Sequence, residues 1–221
     1  EKRWVKHLRE RPQDKPFFMW FASTDAHRPW QTTEQIPAYD PATAVVPPFL
    51  VDGPQTREDL VAYYHEISRL DRFVGEVVDE LKRQGIAENT YVIFTADNGP
   101  WLNYGDHAGS AGPLREGKGT MFEGGYRVPC LMRMPGTIPA GTETGEFCVT
   151  LDLLPTVAKL LGVELPAERK VDGKDVWPML TQGAPSPHDA ILCVQSPTVA
   201  AVRMGDWKLV MNGSDADSEE A

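Results

Sequence analysis

Three cysteines in 221 residues, Cys130, Cys148 and Cys193, are too few and too scattered for a disulfide framework or a zinc cluster. Each stands in an apolar, strand-like setting, which predicts buried structural thiols. No run of about 18 apolar residues is present, so no segment reads as a transmembrane helix. Positive charge is also scarce, with 22 Lys and Arg against 32 Asp and Glu and a net charge of −10. That balance denies the chain the basic face a nucleic-acid partner needs. It also means that an anionic ligand must be captured by local cations, because the overall field repels it. There is no internal repeat, no initiator methionine and no signal peptide. The opening residues, Glu1-Lys2-Arg3-Trp4-Val5-Lys6-His7-Leu8, read as the middle of an amphipathic helix. The chain is therefore expected to be the carboxyl-side part of a longer protein.

What is present suits an α/β protein. With 41% hydrophobic and 24% charged residues the composition is that of a globular chain. Its length suffices to bury about 70% of the unfolded surface. Pro16–Ala22 is apolar, aromatic-rich and bounded by proline, which predicts a short buried strand. From Ser23 to Thr56 six prolines forbid long helices, and a loop of that length is usually functional. Glu58–Arg83 carries Leu60, Tyr64, Ile67, Leu70, Phe73, Val74, Val77 and Leu81 at helical spacing, with Gly85 as its stop. Tyr91–Ala96 and Val128–Met134 read as strands, and Thr150 or Asp152 caps a helix that ends at Gly162. Asp175–Leu180 reads as a short turn of helix. Beyond Gly183, Ala190–Gln195 and Val199–Met204 read as strands, and Gly205-Asp206 as a hairpin turn into Trp207–Val210. The expected architecture is a sandwich with a mostly parallel mixed sheet flanked by helices, plus a small C-terminal antiparallel sheet. Residues 1–183 would form the main α/β domain, 184–214 the antiparallel subdomain and 215–221 an acidic, disordered tail.

Chemistry concentrates between Tyr91 and Arg127. In α/β sheets ligands gather beyond the carboxyl ends of strands. Asp97-Asn98-Gly99 stands there after Tyr91–Ala96. A carboxylate and an amide carbonyl are hard oxygen donors suited to Ca²⁺ or Mg²⁺; the same three residues are also favoured in a plain turn. Lys118 lies between Gly117 and Gly119, where the backbone can approach an anion and the ammonium can bind it. Alone such a lysine is more often a solvated surface residue; together with Asp97 and Asn98 it suits a cation beside an anion. His27, just after the first strand, is a natural proton donor near neutral pH or a structural histidine bonding loop backbone. His107 stands in the same glycine-rich loop with a supporting or incidental role, and Arg115 there suits either an anion contact or a structural salt bridge to a loop carboxylate. Glu123 and Arg127 read as structural residues that hold that loop in shape. His7, His65 and His188 read as helix or linker surface.

These residues resemble the carboxyl-side half of a sulfatase, a family of the alkaline-phosphatase-like superfamily. The resemblance rests on Asp25-Ala26-His27-Arg28-Pro29, Thr95-Ala96-Asp97-Asn98-Gly99, Gly117-Lys118-Gly119-Thr120 and Glu123-Gly124-Gly125, with flanking segments from Pro16 to Leu209 in the family's order. It implies that Asp97 and Asn98 ligate an active-site Ca²⁺. It further implies that Lys118 contacts the sulfate group and that His27 stands near the leaving oxygen. It implies a formylglycine nucleophile made within a Cys/Ser-x-Pro-x-Arg motif, and a paired-aspartate motif near the amino terminus. Neither motif occurs here, and none of the three cysteines has the required proline two residues on.

The function expected is thus part of a sulfuric ester hydrolase acting on a small-molecule or carbohydrate sulfate ester, inactive as this chain alone. The same resemblance favours an exported or lysosomal protein. Oligomeric state and the organic part of the ester are not encoded legibly. Two other functions remain open at this point: a phosphatase or phosphodiesterase of the same superfamily, and a non-catalytic binding module that keeps the fold. Asn98 weighs against a dinuclear zinc phosphatase, which would prefer histidine at a ligand position.

Overall fold

The computed structural model describes residues 3–102 and 109–211. The chain divides into two compact units, residues 3–90 and residues 91–102 with 109–211.

The first unit is built on one long helix. α1 (Trp4–Glu10) precedes the proline-rich stretch, and α2 (Pro54–Arg83) follows it with Pro54 in its first turn. α2 ends where Gly85 takes a left-handed conformation (φ 69°) and the amides of Gly85 and Ile86 bond back to Lys82 and Leu81. Leu8 of α1 is buried, and Trp4 stacks on Phe21 at 5.2 Å and leans on Phe73 of α2 at 6.1 Å. Glu80 of α2 accepts hydrogen bonds from Arg9, Arg83 and Gln84, so α1 is both packed and ion-paired to α2.

The buried face of α2 is more polar than the hydrophobic spacing suggests. His65, Glu66 and Arg69 are buried beside Leu60 and Phe73, while Ile67 is exposed. The reason lies in the loop before it. Residues 23–36 carry backbone amides that no strand or helix satisfies, and buried amides require partners. α2 supplies them: Glu66 accepts from the amides of His27 and Gln31, and His65 Nε2 accepts from that of Thr33. Arg69 donates to the Gln31 carbonyl and forms a two-pronged bridge to Asp25 at 2.7 and 2.5 Å.

The predicted strand over Pro16–Ala22 is extended but joins no ladder. Phe18 and Trp20 are 82% and 80% exposed, whereas Met19 and Phe21 turn inward. The alternation is that of a strand with one face covered.

The second unit begins with β1 (Val92–Thr95), which pairs antiparallel with β2 (Cys130–Arg133). Between them lie the glycine-rich loop and the short α3 (Glu123–Tyr126). A 3₁₀ turn at Thr150–Asp152 opens α4 (Leu153–Leu160), which stops at Gly162 (φ 65°), and α5 (Trp177–Gln182) follows. β3 (Ile191–Val194), β4 (Ala200–Met204) and β5 (Trp207–Met211) form an antiparallel sheet with β4 central, and Gly205-Asp206 makes the hairpin turn. One face of that sheet, with Cys193 and Ala201, packs on Met121.

The α/β character and the small C-terminal antiparallel sheet thus match expectation. The mostly parallel mixed sheet does not form among the described residues, where both sheets are antiparallel. Among the described residues the four-residue β1 pairs with β2 alone, and Pro16–Ala22 pairs with no strand. Among the described residues no helix is long and apolar enough to cross a membrane.

Candidate active site

β1 delivers Asp97 and Asn98 to the solvent edge of the second unit. Tyr91 anchors the strand's entry, edge-on to Trp177 at 5.6 Å with its hydroxyl donating to Met132 Sδ at 2.8 Å. Burial pushes its phenol well above the ordinary range, so it stays neutral. At the exit, Thr95 Oγ1 donates to the Pro129 carbonyl at 3.1 Å. The chain then leaves the sheet, with Asp97 exposed and Asn98 half-buried. Asn98 Nδ2 donates to Asp97 Oδ2 at 2.5 Å, which joins the two oxygen-bearing side chains.

The loop that carries Lys118 is stitched to this strand end through main chain. Gly99 N donates to Gly125 O at 3.0 Å, and Lys118 N donates to Pro100 O at 2.8 Å. The approach is so close that side chains are excluded. A Cβ on Gly99 would lie 1.7 Å from Gly124 O, and one on Gly117 would lie 2.4 Å from Pro100 O. Lys118 itself occupies the tip of a turn closed by Thr120, whose amide and hydroxyl both reach Gly117 O at 3.2 and 2.9 Å. Gly119 (φ 89°) takes the third position, where a type II turn requires a positive φ. The ammonium of Lys118 lies 5.6 Å from the centre of the Trp101 ring. Asp97, Asn98 and Lys118 are therefore held on two loops that cannot slide past one another.

A second layer fixes the loop from below. Glu123 accepts from Arg203 of β4 at 2.8 Å and from Lys208 of β5 at 2.9 Å, so the C-terminal hairpin grips the start of α3. Gly124 N donates to Arg115 O at 2.8 Å, and the Arg115 guanidinium covers the Phe122 ring at 4.0 Å.

His27 belongs to the first unit. Its amide is held by Glu66, its ring is exposed, and its Nδ1 lies 2.7 Å from the Arg28 carbonyl oxygen. That carbonyl can only accept, so Nδ1 carries a proton and Nε2 is the nitrogen left to face solvent chemistry. Arg28 is in turn clamped by Asp59, which also accepts from Trp30 Nε1.

The donor set at Asp97 and Asn98 fits a hard divalent cation in kind, a carboxylate plus an amide oxygen, but two side chains fall short of the six to eight oxygens Ca²⁺ takes. Among the described residues no group of three or more His, Cys, Asp or Glu gathers at a common point. His107 lies outside the described residues.

One cysteine departs from expectation. Cys193 is buried and Cys148 half-buried, but Cys130, at the start of β2, is exposed. Burial pushes the Cys148 thiol up to about 11, with Cys130 and Asp152 adding to the effect. His65 and His188 are not surface residues. His188 Nε2 bonds Asp152 Oδ1 at 2.8 Å, and the fully buried Asp152 also accepts from the amides of Val149 and Lys174. Nothing in the linear spacing of His188 and Asp152, 36 residues apart, could have signalled that pair.

The chain matches the sulfatase family model over residues 2–163. It is 36% identical over 201 residues to human arylsulfatase A, a match that covers 89% of this chain and 36% of that protein. It is 43% identical over 124 residues to steryl-sulfatase of Rattus norvegicus, covering 54% of this chain and 22% of that protein. Among solved structures it resembles Ps i-CgsB in complex with k-i-k-neocarrahexaose, with a TM-score of 0.77 and 30% identity over 94% of this chain and 44% of that one. It also resembles the PsFucS1 sulfatase from Pseudoalteromonas sp., with a TM-score of 0.62 and 30% identity over 74% of this chain and 34% of that one. The chain spans about a third or less of the length of these curated relatives. On the family match and on the identity across nearly its whole length, the chain belongs to the sulfatase family.

Proposed function

We propose that the full-length protein carrying this chain is a sulfuric ester hydrolase, and that Asp97, Asn98, Lys118 and His27 are its contribution to the active site. The observation that carries this reading is the main-chain lattice that fixes Lys118 against the strand end bearing Asp97 and Asn98. Such rigidity suits a site that must present positive charge where anionic oxygens collect.

Asp97 and Asn98 would supply two oxygen ligands to a Ca²⁺ or Mg²⁺ ion, and the bound cation would neutralise charge on the sulfuryl oxygens. Lys118 binds and orients one of those oxygens with its ammonium. Charge develops on the bridging oxygen as the ester bond breaks, and His27 in its doubly protonated form gives that oxygen the Nε2 proton, while the Nδ1 proton stays on Arg28 O. The attacking group is expected to be a formylglycine from sequence outside these residues, so the chain alone is inactive on this reading. The substrate is a small-molecule or carbohydrate sulfate ester, a class supported by relatives named arylsulfatase and N-acetylgalactosamine-6-sulfatase.

The finer architecture follows the same reading. In the complete protein the segment 16–22 is a strand of a mostly parallel mixed sheet flanked by helices, which would cover Phe18 and Trp20. Residues 1–183 belong to the catalytic domain and 184–214 to a small antiparallel subdomain.

The test is turnover of a sulfate and a phosphate monoester by the full-length protein and by its Lys118→Ala and His27→Ala variants. Sulfate should be preferred, and each variant should lose about 10²–10⁴-fold in kcat with an unchanged unfolding temperature. Preference for phosphate, or variants as active as the parent, refutes the assignment.

A further inference from the structure

His27 is exposed on the loop that precedes α2, and one face of that helix supports it. Asp59, Tyr63 and Glu66 stand at the i, i+4 and i+7 positions of that face. Glu66 accepts from the His27 amide at 3.1 Å. Asp59 holds the next residue: its carboxylate meets the Arg28 guanidinium at 2.6 and 2.5 Å and accepts from Trp30 Nε1 at 2.7 Å. The guanidinium also lies over the Trp30 ring at 4.5 Å, and that ring tilts against Tyr63 at 5.5 Å. Arg28 is thus gripped by its side chain, while its carbonyl accepts a 2.7 Å hydrogen bond from His27 Nδ1. The Pro29 ring removes the φ freedom on the far side of that carbonyl. A partly exposed ion pair adds little to stability, so stability is a weak reason for a clamp of this many contacts.

We propose that Asp59 is a positioning residue for proton donation by His27, acting through Arg28. The inference rests on the reading that His27 protonates the leaving oxygen of the ester. A doubly protonated imidazole can release a proton from either nitrogen. With the Arg28 carbonyl fixed, the Nδ1 proton is held in its hydrogen bond and the Nε2 proton is the one delivered. That proton bonds to the bridging oxygen as the oxygen takes the electron pair of its broken bond to sulfur. The N–H pair stays on Nε2, and the ring is left as the Nδ1–H tautomer that Arg28 O already binds. In Asp59→Asn the Arg28 guanidinium loses the carboxylate that grips it with two bonds, the carbonyl loses that support, and the imidazole can turn or change tautomer.

The test uses the full-length protein and its Asp59→Asn, Arg28→Ala and His27→Ala variants. The ratio kcat/KM is measured on sulfate esters ordered by the basicity of the leaving oxygen, from nitrophenyl through phenyl to sugar hydroxyl. A nitrophenolate leaves with little help from a proton, whereas a sugar alkoxide requires one. Asp59→Asn should therefore lose about tenfold more at the basic end of the series than at the nitrophenyl end. Arg28→Ala breaks the same clamp from the other side and should show the same slope, with His27→Ala at least as steep. The unfolding temperature should fall by about 4 °C or less in the clamp variants. Nitrogen NMR of histidine-labelled protein, at a pH where the His27 ring is neutral, supplies a readout that needs no substrate. The parent should show His27 with its proton on Nδ1, and Asp59→Asn a mixture of the two tautomers. Equal losses along the series in both clamp variants, or a tautomer unchanged from the parent, mean that the clamp only steadies the loop. Either result overturns the proposal, while a sloped His27→Ala series keeps the proton-donor reading. Failure of both clamp variants to fold overturns it in the same way. A flat His27→Ala series, or a parent that cleaves none of the esters, refutes the proton-donor reading and the positioning role with it.

Discussion

Replacing Gly99 by alanine tests the main-chain lattice with a single methyl group. The new Cβ would stand 1.7 Å from Gly124 O, 2.8 Å from Gly124 C and 3.2 Å from Gly125 Cα. All three atoms are backbone, so no side-chain rotation relieves the contact. Moving it out to about 3.0 Å requires the two loops to part by more than about 1 Å, which breaks the Gly99 N to Gly125 O bond. Overpacking of this kind costs about 1–3 kcal/mol, and the lost buried hydrogen bond adds about 1 kcal/mol. A displacement of about 1 Å at a reacting centre lowers turnover about 10²-fold. The matched control is Gly75→Ala on the exposed side of α2, where nothing lies within 4 Å of the added methyl. There alanine should stabilise by about 0.5–1 kcal/mol through helix propensity. Chemical denaturation gives both stabilities, and sulfate-ester turnover by the full-length protein gives the functional effect. If Gly99→Ala is as stable and as active as the parent, the two loops are not locked through this contact and the account of the site's rigidity is wrong.

Two further perturbations probe the supports on either side. Glu80 is held well below the ordinary carboxylate range, first by Arg83 and then by Arg9 and Gln84. A lowered carboxyl contributes stability that is complete above its unfolded pKa of about 4.3 and is lost as pH falls below that value. Acid unfolding followed by circular dichroism should therefore show a loss of stability below pH about 4 that Glu80→Gln removes; identical acid profiles would contradict it. Asp152→Ala strips partners from the amides of Val149 and Lys174 and from His188 at a fully buried site, and should destabilise by about 3–5 kcal/mol in urea. A loss below 1 kcal/mol would mean that water replaces the carboxylate.

The local elements were legible because their signals are local. Apolar runs, a glycine stop at Gly85 and the Gly205-Asp206 turn place α2 and the C-terminal hairpin to within a few residues of where they stand. The places of Asp97 and Asn98 beyond a strand end and of Lys118 in a glycine turn were legible for a similar reason, since both are short patterns that the backbone must obey. The buried polar face of α2 was not. The spacing of Ile67 and Leu70 names an apolar stripe, but the helix turns His65, Glu66 and Arg69 inward because the loop over residues 23–36 needs their donors and acceptors. That demand is set by a segment some forty residues away in sequence, which no helical periodicity records. The partner strands of Pro16–Ala22 are not legible for a related reason. Continuous apolar runs such as Pro16–Ala22 report that both faces want cover, and do not say which chain provides it.

With a net charge of −10, the molecule's field opposes any anion, so capture must come from charges placed at short range. A long, flexible lysine side chain needs a fixed backbone beneath it to hold its charge in one place. Here the placement comes from the backbone: Pro100 O takes the Lys118 amide, and Gly99, Gly117, Gly124 and Gly125 let main chain press against main chain. The next layer is electrostatic, with Arg203 and Lys208 on Glu123 tying that backbone to the C-terminal sheet. It follows that the sheet, although remote in sequence from Lys118, acts on the site by holding α3. Its removal should loosen the glycine loop before it unfolds the unit, because Glu123 is the joint at which the two meet. The glycines and Glu123 thus belong to one device with Lys118, which is the physical reason that the combination of motifs points to the family when each motif alone does not.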